Sequence, residues 1–140
     1  MVHQVAQHCI VTDILDYGCG KGELSKALGR RYRIAGFDPA IPEADTPPEP
    51  CEFVFCGDVL EHIEPECLEA VLDDLQRVVL KHGLFIVATR PAKKTLPDGR
   101  NAHLIIEPLE WWIPKLSRRF YLKSFQNFGN KAFMVLVGKK

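Results

Sequence analysis

Apolar runs and helical spacing alternate along the first third of the chain. Val11–Asp16 is a β-branched and apolar stretch that predicts a strand, and Glu23–Arg31 then places three apolar residues at helical spacing. Arg33–Asp38 predicts a second strand, which ends in an acid. The chain is therefore expected to begin as a strand, a glycine-rich turn, a helix and a strand.

The same alternation resumes after residue 50. Cys51–Gly57 is a continuous apolar run, which is typical of a strand buried on both faces. Apolar residues at i, i+3, i+4 and i+7 predict a helix from Pro65 to about Lys81, and we expect Gly83 to end it. Leu84–Thr89 predicts another buried strand.

The last part of the chain predicts a helix followed by a hairpin. Pro108–Leu116 is expected to be helical, bent or shortened at Pro114. Phe120–Phe128 and Ala132–Val137 predict strands, and Gly129-Asn130 between them is a hairpin turn signal. The last strand should therefore run antiparallel to the one before it.

This order of elements predicts an α/β fold with a mostly parallel sheet and helices on both faces. Residues 39–50 contain five prolines, which exclude a regular helix or central strand there. Neither flank of this segment is large enough to fold alone, so we predict one domain over residues 1–140. Its acidic and glycine-rich features fall at the carboxyl ends of predicted strands, where such sheets bind ligands.

Composition excludes some classes of protein. No apolar run approaches the roughly 18 residues that a membrane helix needs, so no membrane association is expected. The five cysteines are odd in number and none forms a CxxC pair, which indicates a reducing compartment. Met1 is not followed by a basic or long apolar segment. We therefore expect a cytoplasmic protein.

Charge is balanced overall but unevenly spread. Residues 1–80 carry six Lys and Arg against fifteen Asp and Glu, a net −9, whereas residues 81–140 carry twelve against three, a net +9. Such asymmetry can mark an anionic partner. Alternatively, the two halves neutralise each other in the fold, and both interpretations stay open.

The glycines at 18, 20 and 22 allow the backbone to turn tightly and approach a ligand closely. A nicotinamide-dependent oxidoreductase would need G-x-G-x-x-G, but Glu23 occupies the place of the third glycine, which argues against that class. Asp38 lies 22 residues after Asp16, at the end of the next predicted strand, where a carboxylate can accept two hydrogen bonds from a ribose diol.

Three segments together resemble the class I S-adenosylmethionine-dependent methyltransferases. They are Asp16–Gly22 (DYGCGKG), Gly36–Asp38 (GFD) and Cys56–Ile63 (CGDVLEHI), and the resemblance extends over about residues 11–138. It implies a Rossmann-like, doubly wound sheet with an antiparallel C-terminal hairpin. It also implies S-adenosylmethionine as cofactor and methyl transfer as the activity.

The resemblance assigns residues to the cofactor. Gly18 and Gly20 would line the methionine part, Asp38 would hold the ribose, and 57–60 would lie beside the methyl sulfonium. The full predicted cofactor set is Asp16, Gly18, Cys19, Gly20, Asp38, Gly57, Asp58 and Val59.

The chain departs from that family between its second and fourth strands. Family members carry a helix and a strand there, and here only residues 39–50 fill the gap, so Glu43 or Asp45 is a candidate for the adenine contact. N-terminal helices that close over the site are also expected to be absent. A more open pocket suits a large or flexible substrate, a protein partner that covers it, or a non-catalytic cofactor-binding domain that regulates or completes a partner.

Three residues are candidates for catalysis. His62 follows the strand that faces the sulfonium, Glu61 is its neighbour, and His103 lies in a loop after the next strand. A base is needed only for acceptors that hold a proton, such as hydroxyls. The alternatives are a pair at a helix entry for Glu61-His62 and an exposed loop histidine for His103.

Our main prediction is an active site without a metal, but the spacing D-x-x-E-H also fits a metal site. Asp58, Glu61 and His62, with His103 as a fourth ligand, would suit a divalent ion with open positions. This local pattern resembles the small-RNA 3′-end 2′-O-methyltransferases, and the resemblance implies a metal over the terminal ribose diol.

Aromatic and basic residues near the C-terminus bear on the acceptor. Trp111 and Trp112 can stack on a base. Basic residues that could accompany them are Lys115, Arg118, Arg119, Arg90, Lys93, Lys94 and Arg100. This patch would favour an anionic acceptor: a nucleotide, a nucleic-acid end or a phosphorylated sugar. The alternative is a core tryptophan with solvated basic residues.

Overall fold

Six strands pair into one mixed sheet in the computed structural model, which describes residues 1–140. The strands are β1 (Asp13–Tyr17), β2 (Arg33–Phe37), β3 (Cys51–Gly57), β4 (Val79–Ala88), β5 (Phe120–Asn127) and β6 (Ala132–Lys139). The α-helices are α1 (Val2–His8), α2 (Glu23–Leu28), α3 (Leu68–Val78) and α4 (Leu109–Ser117). Three short 3-10 turns cover Pro42–Ala44, Leu60–His62 and Pro65–Cys67.

The strands lie in the order β2-β1-β3-β4-β6-β5. The first four are parallel, and β6 pairs antiparallel with both β4 and β5. This is the predicted α/β sheet with its antiparallel C-terminal hairpin. Because β2 and β3 lie on opposite sides of β1, the strand order reverses at β1, and a crevice opens beyond the carboxyl ends of these strands.

Helices cover both faces of the sheet, as predicted. On one face, α3 and α4 pack over a cluster of nineteen buried residues that includes Leu72, Phe85 and Trp112, each 0% exposed. On the other face, α1 and α2 cover a smaller cluster around Ile14 and Phe53. The two apolar layers fix β1, β3 and β4 in the middle of the molecule.

The N-terminal helix α1 corrects the expectation that the chain begins almost at its first strand. Ala6 of this helix is fully buried, and Val2 and Val5 pack against the smaller cluster. The helix has only seven residues, no side-chain cap and no acidic residue in its first turn. Its stability therefore comes from packing against the rest of the fold. For that reason, the sequence of residues 2–8 contains little that predicts a helix.

The predicted helix over residues 65–81 is wrong at both ends. Residues 65–67 form a 3-10 turn, and β4 begins at Val79, directly after α3. Val78 and Val79 are both fully buried, so the apolar pattern fits a helix and a strand equally well. Gly83 lies inside β4 rather than ending a helix, and a Cβ there would be 2.9 Å from Val137 Cγ2.

The connection from β2 to β3 contains no helix beyond the turn Pro42–Ala44, which agrees with the predicted shortening. It is held by the Asp38 N–H, which donates to the Ala44 carbonyl at 2.8 Å, and by Arg77, whose Nη2 donates to the Pro48 carbonyl at 3.0 Å. Strand β2 is consequently an edge strand without a buried residue.

Candidate active site

The glycine turn after β1 is built from left-handed backbone. Gly18, Gly20 and Gly22 have φ values of 83°, 50° and 75°. The Gly18 N–H donates to the Phe37 carbonyl at 2.7 Å, which joins the ends of β1 and β2. A Cβ on Gly18 would lie 2.2 Å from Val59 Cγ2, so this turn and the segment after β3 can meet only because residue 18 is glycine.

The Asp38 carboxylate joins the glycine turn to the loop after β2. Its Oδ2 accepts the Gly20 N–H at 2.9 Å, and its Oδ1 accepts the Ala40 N–H at 2.9 Å. Each carboxylate oxygen can accept a further hydrogen bond. Asp38 can therefore still accept hydrogen bonds from the two hydroxyls of a ribose.

A cleft of about 630 Å³ opens at this point. It is lined by Tyr17, Gly18, Gly20, Phe37, Asp38, Pro39, Ala40, Asp58, Val59, His62, Ile63 and Val71. Five of the eight predicted cofactor residues are in this lining. Asp16, Cys19 and Gly57 are not, and neither are the adenine candidates Glu43 and Asp45.

The three predicted residues outside the lining have other surroundings in the fold. Asp16 is 5% exposed, and burial, with a smaller effect from the Asp38 charge, raises its pKa to about 6. The Cys19 sulfur packs against Gly36, where a Cβ would come within 2.9 Å of it. A Cβ on Gly57 would strike the Phe55 ring at 2.4 Å.

Six lining residues are not among the site residues that the sequence predicts: Tyr17, Phe37, Pro39, Ala40, Ile63 and Val71. Tyr17 stands inside the glycine motif, so its position was a usable signal. Its ring packs edge-on against Phe37 at 5.0 Å, and its hydroxyl donates to Asp74 Oδ2 at 2.8 Å. Val71 follows the apolar pattern of α3, which indicates a core residue and gives no hint of a cleft.

Asp58 adopts a left-handed backbone conformation with φ 55°. Its N–H donates to the Ile86 carbonyl at 3.0 Å. This conformation is uncommon outside glycine, although aspartate tolerates it better than most residues. The bend after β3 directs the chain away from the sheet and starts the turn that carries Glu61 and His62.

Two histidines meet beside the cleft. The His62 Nδ1 lies 2.8 Å from the Ala102 carbonyl, and the His103 Nδ1 lies 2.5 Å from the Arg90 carbonyl. A carbonyl oxygen only accepts, so both Nδ1 atoms carry the hydrogen, and in the neutral rings both Nε2 atoms keep a free lone pair. The ring centroids are 4.8 Å apart.

Glu61 completes this cluster from inside the protein. It is 0% exposed, its Oε1 accepts the Ala88 N–H at 3.0 Å, and its Oε2 has no hydrogen-bond partner. Burial raises the pKa of this carboxyl. Glu61, His62 and His103 each place one ligand atom within 4.8 Å of the others, and Asp58 is not part of that group.

A model of a protein family described as a methyltransferase domain matches residues 11–129. The match covers well over half of the chain and includes the glycine turn, Asp38 and the 56–63 segment. The chain belongs to the class I S-adenosylmethionine-dependent methyltransferases. A search of curated proteins finds no match.

Solved methyltransferases share the fold at low identity. The Burkholderia thailandensis 1,6-didemethyltoxoflavin-N1-methyltransferase, with S-adenosylhomocysteine bound, is 13% identical over 99% of this chain and 76% of its own, with a TM-score of 0.72. The methyltransferase domain of bacterial CtHen1-CN is 16% identical over 98% and 95%, also at 0.72. NodS from Bradyrhizobium japonicum, with S-adenosylhomocysteine, is 14% identical over 98% and 86%, at 0.65.

Much of the charge asymmetry of this methyltransferase is neutralised between its halves. Arg100 pairs with Glu64 at 2.8 Å, Lys115 with Glu69 at 2.9 Å, and Arg119 with Glu69 and Asp73. Trp112 is fully buried in the core, as the alternative interpretation expected. The basic residues that remain exposed without an acidic partner around the loop after β4 are Arg90, Lys93 and Lys94.

A larger cavity, of about 720 Å³, lies away from the glycine turn. It is lined by residues of β1, β2 and the segment 46–52, and none of the candidate catalytic residues lines it. It marks the place where this methyltransferase has an irregular connection instead of a helix. No helix of the fold has the length and apolar character needed to cross a membrane.

Proposed function

We propose that this chain transfers a methyl group from S-adenosylmethionine to a proton-bearing acceptor and that His62 accepts the proton. The position of His62 carries the proposal, because it lines the same cleft as Gly18, Gly20 and Asp38. Its Nδ1–H donates to the Ala102 carbonyl, so its Nε2 can receive a proton.

The cleft residues hold the donor. S-adenosylmethionine, when bound, supplies an electrophilic methyl group. Asp38 accepts hydrogen bonds from the ribose, and the Gly18–Gly20 backbone allows the methionine part to approach closely. A cleft of about 630 Å³ lies within the usual range of about 300–1,000 Å³ for ligand sites. The apolar wall formed by Ile63 and Val71 suits a nucleoside base.

The chain's own groups then align the acceptor and take its proton. The acceptor atom bonds to the methyl carbon as the carbon–sulfur bond breaks, and the acceptor proton passes to His62 Nε2. Alignment is the larger contribution, worth up to about 7–11 kcal/mol. A positioned base adds about 10²–10⁴-fold. Glu61 and His103, each with a ligand atom within 4.8 Å of one on His62, would hold the His62 imidazole in place.

The acceptor is proposed to be anionic, either a small molecule or a nucleotide-like group. Arg90, Lys93 and Lys94 support this assignment, because they are exposed, lack an acidic partner and lie in the loop that carries His103. We place the enzyme in the cytoplasm, where its unpaired cysteines would stay reduced.

Metal-assisted methyl transfer is a second candidate, because the cluster fits a divalent ion. The Glu61 Oε2 lacks a partner, and both imidazoles have a free Nε2 while Nδ1–H donates to a backbone carbonyl, as metal-bound histidines commonly do. One carboxylate and two imidazoles suit manganese, iron or zinc with open positions. Such an ion would lower the pKa of an acceptor hydroxyl.

A non-catalytic role, in which the domain binds the cofactor and regulates or completes a partner that covers the cleft, remains the alternative.

Calorimetry with S-adenosylhomocysteine, followed by methyl transfer to a panel of anionic acceptors, tests the proposal. We expect Asp38→Ala to weaken binding by roughly tenfold to a hundredfold, since hydrogen bonds to a charged group are worth about 1.5–3 kcal/mol.

The catalytic step is tested by His62→Ala, with His82→Gln, which changes a half-buried histidine of β4 that does not line the cleft, as control. We expect turnover to fall by about 10²–10⁴-fold while the dissociation constant for S-adenosylhomocysteine stays within a few-fold. If the wild type does not bind S-adenosylhomocysteine at millimolar concentration, the proposal is rejected. If the protein binds the cofactor but labels no acceptor, the non-catalytic role is favoured. If purified protein without a metal is active and chelation does not reduce that activity, the metal-assisted candidate is rejected.

A further inference from the structure

The loop that carries His103 has an internal scaffold of its own. After β4, residues 90–103 fold back so that Thr95 and Asn101 form an isolated antiparallel bridge. The Leu96 N–H donates to the Arg100 carbonyl at 2.8 Å, and the Ala102 N–H donates to the Lys94 carbonyl at 3.0 Å. These backbone bonds close the tip of the loop, together with Asp98 Oδ1, which accepts the Arg100 N–H at 3.0 Å.

The side chain of Asn101 joins the two sides of the loop near its base. Its Oδ1 accepts the Ala92 N–H and the His103 N–H, both at 2.9 Å. Its Nδ2 donates to the Ala92 carbonyl, also at 2.9 Å. The amide thus satisfies three backbone groups on both sides of the loop, and it uses its donor and its acceptor together.

These three bonds fix the neighbours that orient the imidazoles. Ala102, whose carbonyl accepts from His62 Nδ1, stands between Asn101 and His103. His103 donates from Nδ1 to the Arg90 carbonyl, two residues before Ala92. Both ring-orienting carbonyls consequently belong to residues within two positions of a residue that the Asn101 amide holds.

We propose that Asn101 is a positioning residue for the methyl-transfer site. Its amide sets the loop so that the Ala102 and Arg90 carbonyls hold His62 and His103 in the Nδ1–H form, with both Nε2 lone pairs free beside Glu61. Asn101 does not line the donor cleft and acts only through the two histidines. The inference rests on the proposed function in so far as His62 takes the acceptor proton.

The other attachment of the loop is weaker. Arg100 reaches Glu64 with two bonds of 2.8 Å each, but both side chains are more than 40% exposed. Exposed ion pairs contribute about 0–1 kcal/mol. The partly buried Asn101 bonds should therefore dominate the position of the loop base.

Long-range proton–nitrogen NMR of the imidazoles tests the proposal in the ligand-free full chain at about pH 8.5, where ordinary imidazoles are neutral. We expect the wild-type His62 and His103 to be in the Nδ1–H tautomer. In Asn101→Ala we expect both tautomers at His62. In the control Asn127→Ala, which changes an exposed β5 residue without a side-chain hydrogen bond, we expect wild-type spectra.

Asn101→Asp is the second variant, because it retains Oδ1 but places a carboxylate oxygen against the Ala92 carbonyl. We expect its imidazole signals to be shifted as well. Should Asn101→Ala fail to fold, wild-type imidazole signals in Asn101→Asp alone would overturn the proposal. Wild-type signals in both folded variants would do the same.

Cofactor binding and turnover separate this inference from the proposed function. We expect Asn101→Ala to bind S-adenosylhomocysteine within about twofold of wild type, to keep KM for S-adenosylmethionine and to lose about tenfold or more in kcat, part of the usual contribution of a positioned base. An equal loss in affinity would contradict a role confined to the histidines. Failure of the wild type to bind would reject the proposed function, whereas the tautomer result would still decide the role of Asn101.

Discussion

Contact between single residues determines the shape of the donor cleft. The turn after β1 and the segment after β3 touch through Gly18 and Val59, and Asp38 joins the turn from the third side. Gly22, at the far end of the same turn, also has a positive φ but has open space where a Cβ would point. Gly18 therefore differs from Gly22 in its close approach to Val59 and in lining the cleft.

This difference predicts unequal effects of alanine. We expect Gly22→Ala to cost about 1–2 kcal/mol for the left-handed backbone alone. Gly18→Ala should cost about 1–3 kcal/mol more, because the new methyl group forces Val59 to move. Urea unfolding of both variants measures the two costs, and S-adenosylhomocysteine affinity should fall only for Gly18→Ala. Equal losses would show that the contact with Val59 is unimportant.

Asp16 makes stability depend on pH. Because burial raises its pKa from 3.8 to about 6, the folded protein holds this proton more tightly than the unfolded chain. Its contribution to stability is present below about pH 4 and is lost as the pH rises through 6. A shift of this size is worth on the order of 3 kcal/mol.

We therefore expect Asp16→Asn to be more stable than the wild type at pH 8 by about 1–3 kcal/mol and to lose that advantage at pH 4. Denaturant unfolding at the two pH values measures the effect. The exposed loop variant Asp45→Asn, which removes the same formal charge, should show no such gain. A pH-independent difference for Asp16→Asn would rule out ionisation as its cause.

Among the elements, α3 is joined to the turn after α4 by a partly buried charge. The Arg119 side chain is 8% exposed and pairs with Asp73 and Glu69 of α3, both of which reach solvent. Arg77, in contrast, is 48% exposed; it pairs with Asp74 of its own helix and donates to the Pro48 carbonyl. Burial of the guanidinium distinguishes the two arginines.

We expect Arg119→Met to lower the free energy of unfolding by about 1–3 kcal/mol, less than for a fully buried pair because both acids can regain water. Arg77→Met should change it by less than about 1 kcal/mol. Thermal or urea unfolding compares the two variants. A cost for Arg77→Met as large as that for Arg119→Met would mean that burial of the guanidinium adds nothing.

The elements also show what the sequence can predict. Strand β3 and the glycine turn are encoded locally, by a continuous apolar run and by glycines at positive φ, and both lie where expected. The start of β4 depends on Val79 pairing with Cys51 across the sheet, and α1 depends on packing of Ala6. The meeting of His62 with His103 depends on a loop held by Asn101, so only the separate residues were predictable.

Across the whole molecule, ion pairs join the acidic and basic halves of the chain, mainly between α3 and both α4 and the turn after it, and between the loop 90–103 and Glu64. This pairing removes much of the basic patch that the sequence suggests. The exposed cations of the loop, Arg90, Lys93 and Lys94, remain at the rim that carries the cleft. A polyanion should therefore bind by this rim rather than by the basic half as a whole.

Two triple variants of equal net charge test this distribution. We expect Arg90→Gln/Lys93→Gln/Lys94→Gln to elute from a heparin column at lower salt than Lys131→Gln/Lys139→Gln/Lys140→Gln, because affinity for a polyanion weakens as fewer of its charges are neutralised by the protein. The slope of log affinity against log salt for a short single-stranded oligonucleotide should decrease in the loop variant by roughly 0.7 for each phosphate that is no longer neutralised. Identical elution and slope would mean that net charge, and not the loop, governs anion binding, and the anionic acceptor would be left without structural support.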